Sequence, residues 1–228
     1  MRNYIHYSTM FAVKTARAIM VNSKTTGDDL KKFYHVTPQK IHVAYFGYEA
    51  DDYSKSTLSA ELQSQVPEKY IIYLATLQPR KNVPGLIKAF RQMKTEHPEI
   101  PHKLIIAGKQ GWQYEPIMEA IEDNKDIVTY VGRVTDEDRK ALLAGADALA
   151  LASFYEGFGM QLLEAYQAGI PVVTSNVSCL PEIAGPGALY FDPNNTEDIK
   201  NAIMKIITDR ALHDDLAKKG KDHLKDFS

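Results

Sequence analysis

The chain has 228 residues, of which 44% are hydrophobic and 25% charged, with a formal net charge of -2. This is ordinary globular chemistry with length for one or two cores, and it excludes a disordered tail. Basic residues spread along a nearly neutral chain exclude the positive field that drives nucleic-acid binding, and the single cysteine, Cys179, excludes an intrachain disulfide or a cysteine-built zinc cage.

The stretch from Tyr4 to Val21 is interrupted by His6, Ser8, Thr9, Lys14 and Arg17, so it lacks the continuous apolar centre of a signal peptide. No run anywhere approaches the roughly 20 apolar residues that a membrane span requires. The near-helical spacing of Tyr4, Tyr7, Phe11 and Ala18 predicts an amphipathic helix packed on a sheet, with a membrane-surface role as the alternative. The expected location is the cytoplasm, at the inner face of the membrane if that helix binds one. Ala18 to Asn22 reads as a short strand, Ser23 caps a helix running to about Tyr34, and Lys40 to Ala44 reads as a second strand. From Phe46 to Lys69 periodicity is lost, and Gly47, Asp51, Asp52, several serines and Pro67 accumulate as in a linker. The expected organisation is a small N-terminal unit over 1–46, a linker over 47–69 and a main unit over 70–228.

The main unit alternates. Apolar runs at Tyr70 to Leu77, Lys103 to Ala107, Ile127 to Val131, Ala146 to Ala152, Pro171 to Thr174 and Leu189 to Phe191 are separated by helical segments near Asn82 to Glu96, Tyr114 to Asn124, Asp136 to Gly145, Met160 to Gly169 and Thr196 to Asp209, with a last helix after Ala211. Near-continuous apolar strands divided by helices predict an α/β fold, a Rossmann-like doubly wound parallel sheet covered on both faces. A unit of this size buries roughly 70% of its unfolded surface, enough for an independent core.

In such sheets ligands bind beyond the carboxyl ends of the strands. After the first of these strands, Pro79 ends the run and Arg80 and Lys81 stand together at a helix start, where cations oppose the helix dipole. A diphosphate would reverse that penalty, so the pair is read as an anion grip rather than a solvated basic turn. After the second strand, Trp112 either lines the cleft or packs the following helix. After the third, the backbone from Gly132 through Arg133 to Val134 is placed to face a nucleotide base. Asp136-Glu137-Asp138 follows it, a D-x-D string of the kind that holds a metal in some sugar transferases. Here Thr135 and Asp138 match a capping box, and acids in a first helical turn complement the dipole, so the string is read as structural.

The most informative stretch runs from Leu149 to Glu164. A buried strand leads to Glu156, then Gly157-Phe158-Gly159 lets the backbone approach a ligand, and the next helix points free N–H groups at an anion. Glu156 and Glu164 approach one cleft from different elements, as acceptors for sugar and ribose hydroxyls. The expectation is that these two acids face Arg80 and Lys81 across a crevice. Gly157-Phe158-Gly159 is only part of a dinucleotide fingerprint, since Leu162 fills the third glycine position, and there is no P-loop. The sequons at Asn176 and Asn194 are read as chance, Cys179 as a small half-buried residue rather than a reactive thiol, and no metal constellation is found.

Together these segments resemble the retaining GT-B glycosyltransferases of the large family 4 group, over nearly the whole chain. The resemblance rests on Val21-Asn22-Ser23, Pro38 to Val43, Thr76 to Asn82, Lys103 to Lys109, the E-x7-E pair Glu156 and Glu164, Ala168 to Val173 and Leu180-Pro181-Glu182. It implies that Arg80 and Lys81 grip a donor diphosphate, that Glu156 and the backbone of Gly157, Phe158 and Gly159 hold the transferred sugar, and that Glu164 binds ribose. Glu156, Arg80 and Lys81 form the implied catalytic set. It further implies retaining transfer on the donor's front face, no metal or other cofactor, and a glycan or lipid-linked acceptor. The Thr-Leu-x-Pro-Arg-Lys-Asn version resembles mannosyltransferase-like members and favours GDP-mannose, with UDP-glucose or UDP-N-acetylglucosamine as the alternative donor. Ala75-Thr76 departs from the Gly-Arg of many relatives, and Phe46-Gly47 from their Asn-Gly. Complete members begin with an acceptor-binding domain that supplies a catalytic histidine; only its last elements are expected here, so the chain is expected to bind donor with little or no turnover. A non-catalytic nucleotide-sugar-binding or scaffolding domain is the remaining reading.

Overall fold

A computed structural model of the chain describes residues 2–227. The first helix, α1 (Arg2–Thr15), precedes a small unit of β1 (Ile19–Val21), α2 (Lys24–Tyr34) and β2 (Ile41–Val43). The two strands pair in parallel, Ile19 opposite Ile41 through Val21 opposite Val43. Ser23 caps α2 as its sequence predicts, its hydroxyl accepting the Thr26 N–H at 3.1 Å. The expectation for the first helix is only partly met. It ends at Thr15, before Ala18, and Tyr4, Tyr7 and Phe11 are exposed rather than packed on a sheet. Three residues per strand offer too little surface for that face, and the side that packs is the one carrying Val13, in a groove with Phe33 and Tyr34.

Residues 47–69 are not a loose tether. They form a 3-10 turn at Tyr53–Lys55 and the short α3 (Ala60–Gln63), and they bury Tyr53 and Leu62 in the main core. Asp138 accepts the Ser59 N–H at 2.7 Å, and Lys140 pairs with Asp51, so this segment is fastened along the helix that carries both residues.

The main unit follows in the predicted order: β3 (Tyr70–Leu74), α4 (Val83–Glu96), β4 (Lys103–Ala107), α5 (Glu115–Glu122), β5 (Val128–Gly132), α6 (Asp136–Gly145), β6 (Ala148–Leu151), α7 (Met160–Gln167), β7 (Val172–Ser175), α8 (Leu180–Ala184), β8 (Ala188–Phe191), α9 (Thr196–Thr208) and α10 (Arg210–His223). All six strands are parallel, in the order β5-β4-β3-β6-β7-β8. This bears out the Rossmann-like doubly wound class. Every residue of β3, β6 and β7 is buried, as befits strands covered on both faces. Helix α4 packs on α5 and α9, while α7 packs on α6 and α10.

The winding reverses between β3 and β6. From β3 the chain builds outward through β4 to β5, then returns and builds the other way from β6 to β8. Two neighbouring strands whose chains depart in opposite directions leave a crevice at their carboxyl ends. The segment after β3 and the segment after β6 therefore lie side by side, and these are the segments of Arg80-Lys81 and of Glu156. Among the described residues no helix is long and apolar enough to cross a membrane.

Candidate functional site

After β3 the chain continues extended, with the Ala75 and Leu77 N–H groups donating to Ala107 and Lys109 at 3.1 and 2.9 Å. It then turns through a 3-10 helix over Pro79–Lys81, and Asn82, at φ 52°, swings it into α4. Gly108 makes the first step possible. A Cβ there would collide with the Ala75 carbonyl, and its φ of 154° is one that few other residues adopt. The turn is stitched to the loop after β6, the Phe154 N–H donating to the Arg80 carbonyl at 2.8 Å and the Arg80 guanidinium to the Tyr155 carbonyl at 2.8 Å.

Glu156 is the hub of this junction. Its carboxylate receives the Lys81 ammonium, Arg80 Nη1 at 2.8 Å and the Ser153 hydroxyl at 2.8 Å. Its backbone is fixed as well, because Ser178 Oγ accepts the Glu156 N–H at 3.1 Å and donates to the Glu156 carbonyl at 2.6 Å. Burial by itself would raise the Glu156 carboxyl, but Lys81 first, then Arg80 and Ser153, hold it below the usual carboxylate range. The same burial outweighs the Glu156 charge at the Lys81 ammonium and lowers it below the usual lysine value.

The arrangement differs from the expected crevice in two respects. Arg80 and Lys81 do not face Glu156 across a gap; both touch it. Glu164 does not join them, since it lies within α7 and its carboxylate pairs with Arg139 of α6, beside Tyr53. Burial, outweighing Arg139, raises the Glu164 carboxyl above its ordinary value. Thus Arg80, Lys81 and Glu156 form one cluster and Glu164 the centre of another. Arg139 was not legible as a partner, because the pairing joins two helices 25 positions apart. Ser153 had a signal: it is the polar residue closing an apolar run at a strand end.

Gly159 starts α7 at φ 91°, and a Cβ there would press on Leu162 and Leu180 at 3.2 and 3.3 Å. No side chain caps that helix, which leaves its first N–H groups for an outside acceptor. Phe158 is buried against Tyr45, Phe46 and Phe227. The Gly157 carbonyl accepts the Ser23 hydroxyl at 2.9 Å. Nearby, Glu182 accepts the Lys24 and Thr25 N–H groups at 2.7 and 3.3 Å, and Asp29 accepts the Tyr155 hydroxyl at 2.5 Å. The loop after β6 is thereby tied to the small unit.

The other sequence-marked residues fall as follows. Gly132 closes β5 at φ 71° and its carbonyl accepts the Gly108 N–H at 2.7 Å, Arg133 is exposed, and Val134 is half-buried against the core. Trp112 is 55% exposed beyond β4 and does not pack into the core. The D-x-D string is structural, as expected: Thr135 caps α6 by accepting the Asp138 N–H at 3.1 Å, and Asp138 is occupied with Ser59 and Thr135. Among the described residues no group of three or more His, Cys, Asp or Glu side chains comes together as metal ligands. Cys179 is fully buried with its thiol pushed up to about 12 by burial, so it is inert.

The family model for glycosyl transferases group 1 matches residues 54–223, which takes in both clusters. The chain belongs to this family. The resemblance to GT-B glycosyltransferases that its motifs carry is borne out. O-antigen chain mannosyltransferase B of Escherichia coli is 29% identical over 231 residues, covering 99% of this chain and 60% of that protein. The serotype-specific mannosyltransferase WbdA of Escherichia coli is 31% identical over 170 residues, covering 72% of this chain and 21% of that protein. Among solved structures, Anabaena HepE in complex with UDP and glucose superposes with a TM-score of 0.82 at 20% identity, covering 100% of this chain and 63% of its own. The chain thus spans about 60% of the length of the O-antigen relative.

Proposed function

We propose that this chain is the donor-binding portion of a hexosyltransferase that takes a sugar, mannose from GDP-mannose, and passes it with retention to a glycan or lipid-linked acceptor. The observation that carries this reading is the convergence of Arg80, Lys81 and Ser153 on the buried Glu156 at the switch point of the sheet. A diphosphate brought to this crevice competes with Glu156 for the N–H groups of both cations, and Glu156 turns its lone pairs to sugar hydroxyls. The unsatisfied N–H groups at the start of α7 and the cations together carry the leaving-group charge, so no metal enters the scheme. Glu164 accepts from the ribose and the backbone from Gly132 to Val134 faces the base.

Mannose as the sugar is supported by the two mannosyltransferase relatives. UDP-glucose is the second reading, supported by the HepE likeness, whose structure holds UDP and glucose. The transfer is placed in the cytoplasm at the inner membrane face, a reading supported by the exposed Tyr4, Ile5, Tyr7 and Phe11 of α1. A thermal-shift panel of GDP, GDP-mannose, UDP and UDP-glucose tests the donor. Selective stabilisation by the guanosine pair supports GDP-mannose, by the uridine pair UDP-glucose, and no shift by any refutes both.

A further inference from the structure

Gly157 differs from every other glycine of the chain. Each of the others either has a positive φ or has an atom within 3.3 Å of the place a Cβ would take. Gly157 has neither: its φ lies outside the left-handed region, and the nearest atom to an added Cβ is Asn22 Nδ2 at 3.9 Å. The fold therefore does not require glycine here, and alanine would lose less backbone freedom on folding. The loop is nevertheless held on both sides of this residue. Ser178 and the two cations fix Glu156, the Ser23 hydroxyl donates to the Gly157 carbonyl at 2.9 Å, and Phe158 is buried among aromatic rings. The room over Gly157 is thus a fixed feature of the crevice, open at the place where the chain passes beside Glu156.

Asn22 borders that room from the small unit, at the carboxyl end of β1. Its Oδ1 accepts the Thr26 hydroxyl at 3.2 Å, which leaves Nδ2 as the end turned to the loop, and no acceptor meets Nδ2 among the described residues. A half-buried amide with two N–H groups to give, set over bare backbone, suits an oxygen brought by a ligand. We infer that the room over Gly157 is a subsite for one hydroxyl of the transferred hexose, with the Asn22 side chain donating to its oxygen. The inference deepens the proposed function and rests on it. The hexose is the source because Gly157 directly follows Glu156, the carboxylate assigned above to sugar hydroxyls. The sugar then meets an acceptor from the large unit and a donor from the small one. An oxygen entering the room can come within the roughly 2.7–3.2 Å of an N–H···O bond, whereas a methyl group on residue 157 would take its place.

The test titrates GDP, GDP-mannose, UDP and UDP-glucose calorimetrically into the protein and its Asn22→Ala and Gly157→Ala variants, with melting in the absence of nucleotide. Asn22→Ala is expected to bind the preferred sugar nucleotide about threefold to tenfold more weakly, the scale of one hydrogen bond between neutral groups. Gly157→Ala is expected to bind it about tenfold or more weakly, since the methyl displaces the hydroxyl and leaves it unpaired. Without nucleotide, Gly157→Ala is expected to melt at the same temperature or about 1–4 °C higher. Both variants are expected to bind the matching nucleoside diphosphate within about twofold of the unaltered protein, a comparison that general damage to the loop would disturb. Unchanged sugar-nucleotide affinity in either variant, or an equal loss for the nucleoside diphosphate, overturns the subsite while leaving the proposed function intact. If the unaltered protein binds neither sugar nucleotide, both fall. Should Asn22→Ala fail to fold, Asn22→Asp, which keeps the acceptor for Thr26 but cannot donate, takes its place with the same expectation.

Discussion

Lys81 and Glu156 meet with each side chain only 6% exposed, the most deeply buried ion pair among the described residues. Glu156→Gln strands the buried Lys81 charge and is expected to lower stability by about 3–5 kcal/mol, whereas Lys81→Met leaves Glu156 on Arg80 and Ser153 and is expected to cost less, with part of the loss recovered when both are replaced. Urea unfolding measures this; single losses below about 1 kcal/mol would contradict the burial argument. The acid side follows from the lowered Glu156 carboxyl. Its contribution is complete above its ordinary value of 4.5 and is lost as pH falls through the lowered folded value, so the stability gap between the protein and Glu156→Gln narrows as pH falls from 4.5 towards that value.

Arg80 is the cation to probe for binding, because its side chain is 41% exposed and its loss leaves Lys81 on Glu156. Arg80→Gln is expected to weaken nucleoside diphosphate and donor binding by about 1.5–3 kcal/mol with little change in melting temperature. Calorimetry against GDP and UDP reads the affinity, and unchanged affinity for the preferred nucleotide would remove Arg80 from the diphosphate site.

Glu164 sets an expected pH dependence of the opposite kind to that of Glu156. Burial raises its carboxyl, and the ionised form is the better acceptor for ribose hydroxyls, so donor affinity should decline on acidification while the pH is still above the ordinary glutamate value. Glu164→Gln is expected to bind more weakly and to flatten that decline. Titrations between pH 5 and 8, a range chosen on the order of the usual working window, check both, and an unchanged slope in the variant assigns the dependence elsewhere.

Ser23 both caps α2 and donates to the Gly157 carbonyl. Ser23→Ala should cost about 1–2 kcal/mol in unfolding free energy and also lower donor affinity, since the loop loses a tether. Ser23→Asp keeps the cap but places a carboxylate against the carbonyl. If the tether matters, Ser23→Asp restores stability more than it restores affinity.

Much of this was readable in advance where the signal is local. The apolar runs of β3 to β8, the caps at Ser23 and Thr135, and the glycine demand at Gly159 depend on neighbours in sequence, and each is found where its residues imply. The switch point was not readable from any one segment, because it is a property of strand order; only the order explains why Arg80 and Glu156, 76 positions apart, touch. The pairing of Glu164 with Arg139, the burial of Tyr53 and Leu62 from a segment read as linker, and the exposure of Tyr4, Tyr7 and Phe11 all depend on which surfaces happen to meet. Periodicity reports an apolar face but not its cover.

The straps from the start of α2 to the loop after β6 and to α8 bear on recombination between relatives. A chimaera that exchanges the larger unit alone carries off the acceptors at Gly157 and Glu182 and leaves behind their donors at Ser23, Lys24 and Thr25. The crossover that keeps these matches lies upstream of Asn22, even though the chain visibly changes character only from Phe46 onward. Inheritance of the loop's shape thus follows a hydrogen-bonded border rather than the boundary that composition draws.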